Sequence, residues 1–261
     1  MGRKLGLALG GGGARGLAHI GVLKVLEEEG LAAEFVAGTS VGSLIGALYC
    51  CGYGWRQLHE LARTTDWSDL VTFTVPRLGL VNARKLEHLV DRLAGGRTLE
   101  QLPIPFRAVA VDITAGEEVV LAQGSVSQAV RASASIPGIF EPVRWEGRLL
   151  VDGGLLNNVP SDVVRDMGAE VVLAVNLSGE RVKSRPPENI LDVLLYSLEV
   201  LIYGQGQRGT AAADVPVVPD LAGFSYRNLG RLKEIVERGE LAMRAALPAL
   251  RRRLRQPYRT R

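Results

Sequence analysis

Cysteine and histidine are scarce in this chain: among 261 residues there are two cysteines and three histidines. The cysteines, Cys50 and Cys51, are adjacent, so they offer neither a disulfide framework nor the ligand spacing of a zinc site. We therefore expect no metal and no other cofactor. This cysteine usage also fits a reducing compartment, and the sequence predicts a cytoplasmic protein.

Long, strongly apolar runs are scarce as well. The run Phe35–Trp55 carries no charged side chain, but glycine, serine and threonine dilute it, and no second run follows. The first residues form a poor signal peptide because their apolar stretch soon gives way to glycine. We therefore expect the run to be the interior of a folded protein, and we expect no segment that exports or anchors the chain.

The composition, with 47% hydrophobic and 23% charged residues, is that of a globular protein, and the length suits one domain over residues 1–261. Predicted strands and helices alternate over about residues 4–176, and a mainly helical part follows over about residues 187–256. Continuous Val, Leu and Ala strands between helices indicate an α/β fold, with a mainly parallel sheet covered on both faces.

The individual elements follow from the hydrophobic patterns. The predicted strands cover residues 4–9, 34–38, 106–114, 117–122, 147–154 and 170–177. The predicted helices cover residues 15–29, 54–63, 82–96 and 160–167, with a further helix running through residue 49. Asn82 is the expected N-cap of the helix over residues 82–96.

A candidate nucleophile follows the second strand. Ser40 lies in GTSVG, between strand residues and helix residues, which is the context of a nucleophile elbow. Gly38 and Gly42 flank it, because side chains there would clash in a sharp turn. The helix dipole would favour the negative charge that develops in acyl transfer. The alternative is an ordinary tight turn.

The glycine run after the first strand predicts an anion site at the start of a helix. Gly11, Gly13 and Gly16 satisfy the dinucleotide pattern G-x-G-x-x-G, but that interpretation needs an acidic residue at the end of the second strand, and the sequence there is FVAGTS. An oxyanion site for a tetrahedral intermediate is therefore the better interpretation. Arg15 would add positive charge nearby.

No histidine fits as the base of Ser40. The order Ser, then Asp or Glu, then His cannot be met, because the last histidine is His88 and no strand-ending carboxylate precedes it after Ser40. His59 and His88 share helix faces with cationic residues, so we expect both to be solvated. His19 lies one turn beyond Arg15, and we expect it to be structural.

A carboxylate is the remaining candidate for the base. Asp152 ends a predicted strand and is followed by Gly153 and Gly154, which allow close approach of another segment. Asp112 ends another strand and is its rival, whereas Asp162 and Asp166 fall on a predicted helix surface. An aspartate with an ordinary pKa is a weak acceptor for a serine proton, so burial must raise its basicity.

Four blocks in order, GGGGARGLAHIGVLKVLEE, GTSVG, ASASIPGIFEPV and VDGGLLNNVP, resemble the bacterial patatin-like phospholipases. The resemblance runs from about Lys4 to Asn176 and is weaker in VPVVPDLAGFS. It implies a three-layer α/β/α fold and a serine and aspartate dyad without histidine. Carried onto this chain, the dyad is Ser40 and Asp152. The implied oxyanion loop is Gly11, Gly12 and Gly13 with Arg15 beside it, and the supporting motif glycines are Gly16, Gly38, Gly42, Gly153 and Gly154.

The expected partner is a lipid or other ester substrate, and no nucleic acid is expected. The arginine-rich end from Arg251 is expected to be a solvated, frayed terminus. The alternative is attraction to anionic lipid, which would place the protein at the membrane periphery. Two alternatives stay open: a nucleotide-binding protein that uses the glycine loop, and a membrane-surface adaptor. The apolar segments over residues 64–81 and 190–205 are expected to be core, or else to line an acyl channel or cover the site.

Overall fold

The fold was analysed in a computed structural model that describes residues 2–65, 72–73, 78–179, 186–224 and 230–256. The strands are β1 (Leu5–Leu9), β2 (Phe35–Thr39), β3 (Thr72–Phe73), β4 (Val81–Asn82), β5 (Phe106–Asp112), β6 (Glu117–Leu121), β7 (Val143–Trp145), β8 (Arg148–Asp152), β9 (Val171–Val175) and β10 (Val215–Val217). The helices are α1 (Leu17–Glu28), α2 (Val41–Cys50), α3 (Trp55–Thr64), α4 (Arg84–Ala94), α5 (Val126–Ser133), α6 (Ser161–Asp166), α7 (Ile190–Ala211) and α8 (Leu232–Arg255).

The central sheet has the strand order β10-β9-β1-β2-β5-β8-β7, with β6 also paired to β5. Five strands, from β10 to β5 in this order, are parallel. All residues of β1 and β9 are buried, as expected for strands covered on both faces. The prediction of an α/β fold with a mainly parallel sheet is confirmed.

Helices cover both faces of the sheet, and this confirms the three-layer arrangement. On one face α1 packs against α8 at close range: a Cβ added at Gly21 would lie 2.0 Å from the carbonyl oxygen of Val236, and one added at Gly239 would lie 1.9 Å from that of Ala18. On the other face, α6 packs on Ala8, Val172 and their neighbours.

The structure departs from the predicted elements on one side of the sheet and at the start of α4. β6, β7 and β8 are antiparallel to their neighbours, so the sheet is mixed at this edge. Asn82 belongs to β4 and the N-cap of α4 is Ala83, although the Asn82 side chain still accepts a hydrogen bond from the Arg84 amide at 2.8 Å. In the described parts of the chain, every helix is too short or too polar to cross a bilayer.

Candidate active site

Ser40 lies in a strained turn between β2 and α2. Its φ of 54° and ψ of −125° place a non-glycine residue in a left-handed conformation that is costly unless its surroundings impose it. The two flanking glycines are required by contact: a Cβ added at Gly38 would lie 2.4 Å from the Gly42 carbonyl oxygen, and one added at Gly42 would lie 2.1 Å from that of Leu9. The turn therefore has the geometry of a nucleophile elbow.

A second serine, Ser133 at the end of α5, holds this turn in place. The Ser40 amide donates to Ser133 Oγ at 2.9 Å, and Ser133 Oγ donates to the carbonyl oxygen of Val109 in β5 at 2.6 Å. The buried amide of the strained residue is thereby satisfied from the neighbouring strand. Sequence reasoning missed Ser133, although it lies in the block ASASIPGIFEPV that carried the resemblance.

The end of β8, which carries Asp152, lies beside the end of β2 that leads into Ser40, because β8 runs antiparallel to β5. Thr39 is aligned with Val109 across the β2 and β5 pair, and the next residue of β5, Ala110, is paired with Asp152. Both Ser40 and Asp152 line one cavity. The last residue of β8 thus lies directly across β5 from the turn that carries Ser40.

The carboxyl group of Asp152 is buried, with 3% of the residue exposed. Burial raises its pKa from 3.8 to about 6, while hydrogen bonds from the Gly154 amide, at 2.8 Å, and from the Ser40 side chain lower it. Desolvation of the charged form is the larger effect. A carboxylate with this pKa is a stronger base than an exposed aspartate and is still ionised at neutral pH.

The rival bases are occupied elsewhere. Asp112 accepts hydrogen bonds from the amides of Thr114 and Ala115, at 2.9 and 3.4 Å, in the turn after β5. His19 is buried, and its Nε2 lies 2.8 Å from the carbonyl oxygen of Gly10. Burial lowers the pKa of His19 from 6.5 to about 4, so the ring is neutral and Nε2 donates to this carbonyl. The imidazole supports the glycine loop, as expected of a structural histidine.

The glycine loop offers fewer free amides than the sequence indicated. The amide of Gly10 donates to the Val175 carbonyl at 3.0 Å, and that of Gly11 donates to the Asn158 carbonyl at 3.1 Å. Among the residues that the structure describes, the amides of Gly12 and Gly13 have no acceptor. Both glycines line the cavity of Ser40 and Asp152. The amides left for a bound anion are therefore those of Gly12 and Gly13.

The same hydrogen bonds bear on the nucleotide alternative. A pyrophosphate at a glycine loop requires several loop amides that point at the ligand. Two of them are already used here, and a Cβ added at Gly12 would lie 2.8 Å from the side chain of Leu177, so the loop is closely packed. This geometry suits a single oxygen better than a dinucleotide.

Arg15 stabilises later loops. Its residue is only 1% exposed, and its guanidinium donates to the carbonyl oxygens of Phe224, at 2.9 Å, and Leu177, at 3.4 Å. The charge is thus directed at two backbone carbonyls, which differs from the expectation that it lies beside the oxyanion. The sequence could not show this, because both partners are more than 150 residues away.

The remaining motif glycines allow close packing around the site. A Cβ added at Gly16 would lie 2.2 Å from the Val41 side chain, and one added at Gly153 would lie 2.3 Å from the Val109 carbonyl oxygen. One added at Gly154 would lie 3.1 Å from Asp152 Oδ1. Each glycine therefore lets another segment approach the turn of Ser40 or the carboxylate.

Two cavities meet at Ser40. The larger, of about 460 Å³, lies among α2, α3, α4 and α5 and is lined almost entirely by apolar side chains such as Leu44, Leu58, Leu86 and Leu93. The smaller, of about 130 Å³, contains Asp152 and the glycine loop and is covered by Leu195, Leu198 and Ile202 of α7.

The segments expected to be core contribute in different ways. Side chains of α7 do line the site, as the alternative expectation had it, whereas Ile190 and Leu194 on the same helix are exposed. Residues 66–71 and 74–77 of the other segment lie outside the described residues.

In the part of the chain that the structure describes, no three His, Cys, Asp or Glu side chains come together to hold a metal ion.

The α/β fold and the turn of Ser40 between a strand and a helix have the form found in α/β hydrolases. Residues 7–165 match the family model described as patatin-like phospholipase, and the chain belongs to this family.

Several known proteins resemble the chain. It is 34% identical over 275 residues to an uncharacterised NTE family protein of Mycobacterium tuberculosis, a match that covers 95% of this chain and 47% of that protein. It is 32% identical over 234 residues to the neuropathy target esterase sws of Drosophila melanogaster, covering 84% of this chain and 16% of that protein. The chain therefore spans about half of the mycobacterial relative and a smaller part of the fly protein.

Solved structures support the fold. VipD of Legionella pneumophila has a TM-score of 0.58 and 14% identity, covering 96% of this chain and 67% of that chain. ExoU of Pseudomonas aeruginosa, solved with SpcU, has a TM-score of 0.56 and 14% identity, covering 97% of this chain and 53% of that chain. At this identity the likeness concerns the fold alone.

Proposed function

We propose that the chain is a lipid acyl hydrolase that cleaves carboxylic esters through Ser40 and Asp152. The observation that carries the proposal is the buried carboxylate of Asp152, with a pKa raised to about 6, in the same cavity as Ser40. A base with such a pKa accepts a proton far more readily than an exposed aspartate does. The names of the family and of its esterase relatives support the same reaction.

The proposed mechanism has two steps. Asp152 takes the proton of the Ser40 hydroxyl as Ser40 Oγ attacks the ester carbonyl carbon, and the amides of Gly12 and Gly13 stabilise the oxyanion. The intermediate collapses, the bond to the alcohol oxygen breaks, and Asp152 returns its proton to that oxygen. Water then attacks the acyl-enzyme, Asp152 accepts a proton from it, and Ser40 leaves with that proton as the free acid is released.

We propose that the acyl chain occupies the larger cavity and the alcohol part of the substrate the smaller one. A cavity of about 460 Å³ lined by leucines suits a hydrocarbon chain, whereas the smaller cavity holds the polar groups that the leaving alcohol needs. Each methylene buried contributes about 0.8 kcal/mol, so kcat/KM should rise by up to about fourfold per methylene until the cavity is full.

A fluorophosphonate probe tests the reaction. We expect it to label Ser40 in the wild-type protein, with labelling abolished in Ser40→Ala and strongly reduced in Asp152→Asn. A panel of lipid and p-nitrophenyl esters, with Ser40→Ala as the control, then gives the substrate class. A folded wild-type protein that neither reacts with the probe nor hydrolyses any ester would overturn the proposal. So would equal labelling in Asp152→Asn.

We further propose that the arginine-rich end of α8 attracts the protein to anionic lipid without forming part of the site. Arg252 and Arg255 are exposed in a shallow groove, whereas Arg251 is paired with Glu29. The backbone of Arg3, just before β1, contacts Leu254. This end of α8 therefore lies beside the amino-terminal ends of the parallel strands. Ser40 follows the carboxyl end of β2 and is therefore at the opposite ends of these strands.

Vesicle sedimentation separates this contact from catalysis. Replacing Arg252 and Arg255 by glutamine should weaken binding to anionic vesicles, with kcat on a soluble ester unchanged. Binding by the wild type should also fall as salt is raised, because exposed charges are screened. Equal binding of wild type and variant to anionic vesicles would refute the contact.

A further inference from the structure

The side chain of Asn158 lies in the smaller cavity, and the two steps above give it no role. The residue is 1% exposed and lines this cavity together with Ser40 and Asp152. Its backbone carbonyl accepts the hydrogen bond of the Gly11 amide at 3.1 Å, so it is fixed to the glycine loop. A buried amide beside the reacting groups requires an explanation, because buried polar groups normally have partners.

The NH2 end of the Asn158 side chain faces α7. A Cβ added at Gly206 of this helix would lie 3.4 Å from Asn158 Nδ2, 3.1 Å from Asn176 Oδ1 and 3.4 Å from Asn176 Nδ2. The orientation of the Asn176 amide is fixed, because its Nδ2 donates to Thr210 Oγ1 at 2.9 Å and its Oδ1 accepts from the Ser178 amide at 2.8 Å. Asn158 Nδ2 forms no hydrogen bond among the described residues, but an acceptor on this side suits an NH2 group.

The oxygen end of the same side chain faces the reacting groups. A Cβ added at Gly11 would lie 2.6 Å from Asn158 Oδ1 and 3.1 Å from the Cβ of Ser40. A Cβ added at Gly154 would lie 3.1 Å from both Asn158 Oδ1 and Asp152 Oδ1. Among the described residues, no group donates a hydrogen bond to Asn158 Oδ1. The cavity therefore contains an unused acceptor that is close to both Ser40 and Asp152.

The second step of the proposed reaction needs such an acceptor. The water that attacks the acyl-enzyme directs an oxygen lone pair at the acyl carbon, so both of its hydrogens must point elsewhere, to acceptors. Asp152 takes one of them as a proton. The amides of Gly12 and Gly13 are donors, so they cannot take the other. The cavity is lined largely by isoleucine and leucine side chains, where a hydrogen without an acceptor is costly.

We propose that Asn158 is a further catalytic residue, whose Oδ1 accepts a hydrogen bond from the water that hydrolyses the acyl-enzyme. Asp152 removes one proton of this water, while the second hydrogen stays on the oxygen that bonds to the acyl carbon and is held by Asn158 Oδ1. The bond to Ser40 Oγ then breaks, Ser40 receives the proton from Asp152, and the second hydrogen leaves with the free acid. This inference rests on the proposed function.

Glu199 is the rival acceptor, because its side chain also lines this cavity. It belongs to α7, the helix that covers the cavity, and it is partly exposed. Asn158 is buried and tied to the glycine loop, and its oxygen lies as close as that of Asp152 to one point beside Gly154. The geometry therefore favours Asn158, which can hold a water at a fixed place relative to the base.

Rapid kinetics with a p-nitrophenyl ester test this role, because acylation and deacylation can be measured separately. In Asn158→Leu, which removes the acceptor at similar size, we expect deacylation to slow at least about tenfold, as for the loss of one hydrogen bond in a transition state. The rate of the p-nitrophenol burst and the rate of fluorophosphonate labelling at Ser40 should change by less than about threefold, since both report only the first step. The acyl-enzyme should accumulate and appear in the intact mass of the protein.

The neighbouring asparagine provides a matched control. Asn157 Nδ2 donates to Glu118 and Asp162, at 3.2 and 2.9 Å, and its side chain is absent from the lining of either cavity. We expect Asn157→Ala to lower stability while the folded protein acylates and deacylates at wild-type rates. If Asn157→Ala accumulates as much acyl-enzyme as Asn158→Leu, the effect comes from the shape of this loop and the inference is overturned.

The remaining outcomes are also decisive. Accumulation of acyl-enzyme in Glu199→Gln but not in Asn158→Leu would make Glu199 the acceptor and overturn the inference. If Asn158→Leu does not fold, Asn158→Ala decides, with every rate expressed per site that the probe labels, so that unfolded protein is not counted. Deacylation at the wild-type rate, or an equal loss of acylation and deacylation, overturns the role of Asn158 and leaves the proposed function intact. A wild-type protein that does not react with the probe defeats the proposed function itself, and the inference falls with it.

Discussion

Replacing Asp152 by asparagine should make the protein more stable at neutral pH while abolishing hydrolysis. The fold raises the pKa of Asp152 from 3.8 to about 6, so folding disfavours the ionised form. A native state that binds its proton more tightly than the unfolded chain loses stability as pH rises between these two values. A shift of about 2 pKa units corresponds to about 3 kcal/mol, which is fully lost above pH 6. Asparagine does not titrate and keeps the oxygen that accepts from Gly154.

The measurement is the free energy of unfolding in urea, for wild type and Asp152→Asn, from pH 4 to pH 8. The stability of the variant minus that of the wild type should rise by about 2.4 kcal/mol between pH 4 and pH 7, or by about 4 °C in Tm, because a small part of the effect falls below pH 4. The difference is the informative quantity, because titration of other groups is common to both proteins. A difference that stays flat or falls over this range would refute the reasoning.

Ser40→Ala is the control for this experiment. It is also expected to be inactive, but it retains the carboxylate and loses a hydrogen bond that lowers the pKa of Asp152. Its stability should therefore decline with rising pH at least as much as that of the wild type. If Ser40→Ala instead behaves like Asp152→Asn, the gain comes from the loss of turnover or from the turn itself, and not from the buried charge.

Three further predictions concern the surroundings of the site. Burial lowers the pKa of His19 from 6.5 to about 4, so the stability of the wild type should fall as pH drops through this range. The fall should be about 3 kcal/mol larger than that of His19→Gln, which has no titrating ring. His19→Gln should keep probe labelling at Ser40. Denaturation at pH 4 and pH 7 measures this, and equal slopes would contradict it. Ser133→Ala leaves the buried Ser40 amide without its acceptor, so urea denaturation should show a loss of about 1–3 kcal/mol, and unchanged stability would count against this support. Ala83→Leu partly fills the larger cavity, so kcat/KM should fall at least about tenfold for a long acyl ester but little for an acetate. The control is Ala115→Leu, which makes the same change at an exposed position. Equal losses on both esters would argue against an acyl site in this cavity.

Local patterns were sufficient for the elbow and for most of the elements. Gly38, Ser40 and Gly42 between a strand and a helix specify a sharp turn whatever the rest of the chain does, and the structure has that turn. The strands β1, β2, β5 and β9 were predicted because fully buried parallel strands have continuous apolar sequences. These features depend on neighbours within a few residues.

The partners of the site depend on long-range pairing, which a single sequence does not encode locally. Gly153 and Gly154 favoured Asp152 as the candidate base, but nothing in the sequence of its strand indicated that β8 is antiparallel to β5. Arg15 was predicted beside the oxyanion, since its partners Leu177 and Phe224 could not be known. Ser133 and Asn158 both lie in the sequence blocks that carry the family resemblance. The signal that could have identified them is a polar side chain within such a block at a position predicted to be buried.

The site concentrates unfavourable features that the rest of the fold avoids. Ser40 has a strained backbone, Asp152 is a buried carboxylate, and Asn158 has a donor without an acceptor in the described part of the chain. Each of these lowers stability, and each lies against the same small cavity. In the proposed reaction, the proton of the Ser40 hydroxyl would neutralise the buried carboxylate of Asp152. The cost of burying this charge would therefore be relieved in the transition state, as complementarity to a transition state requires.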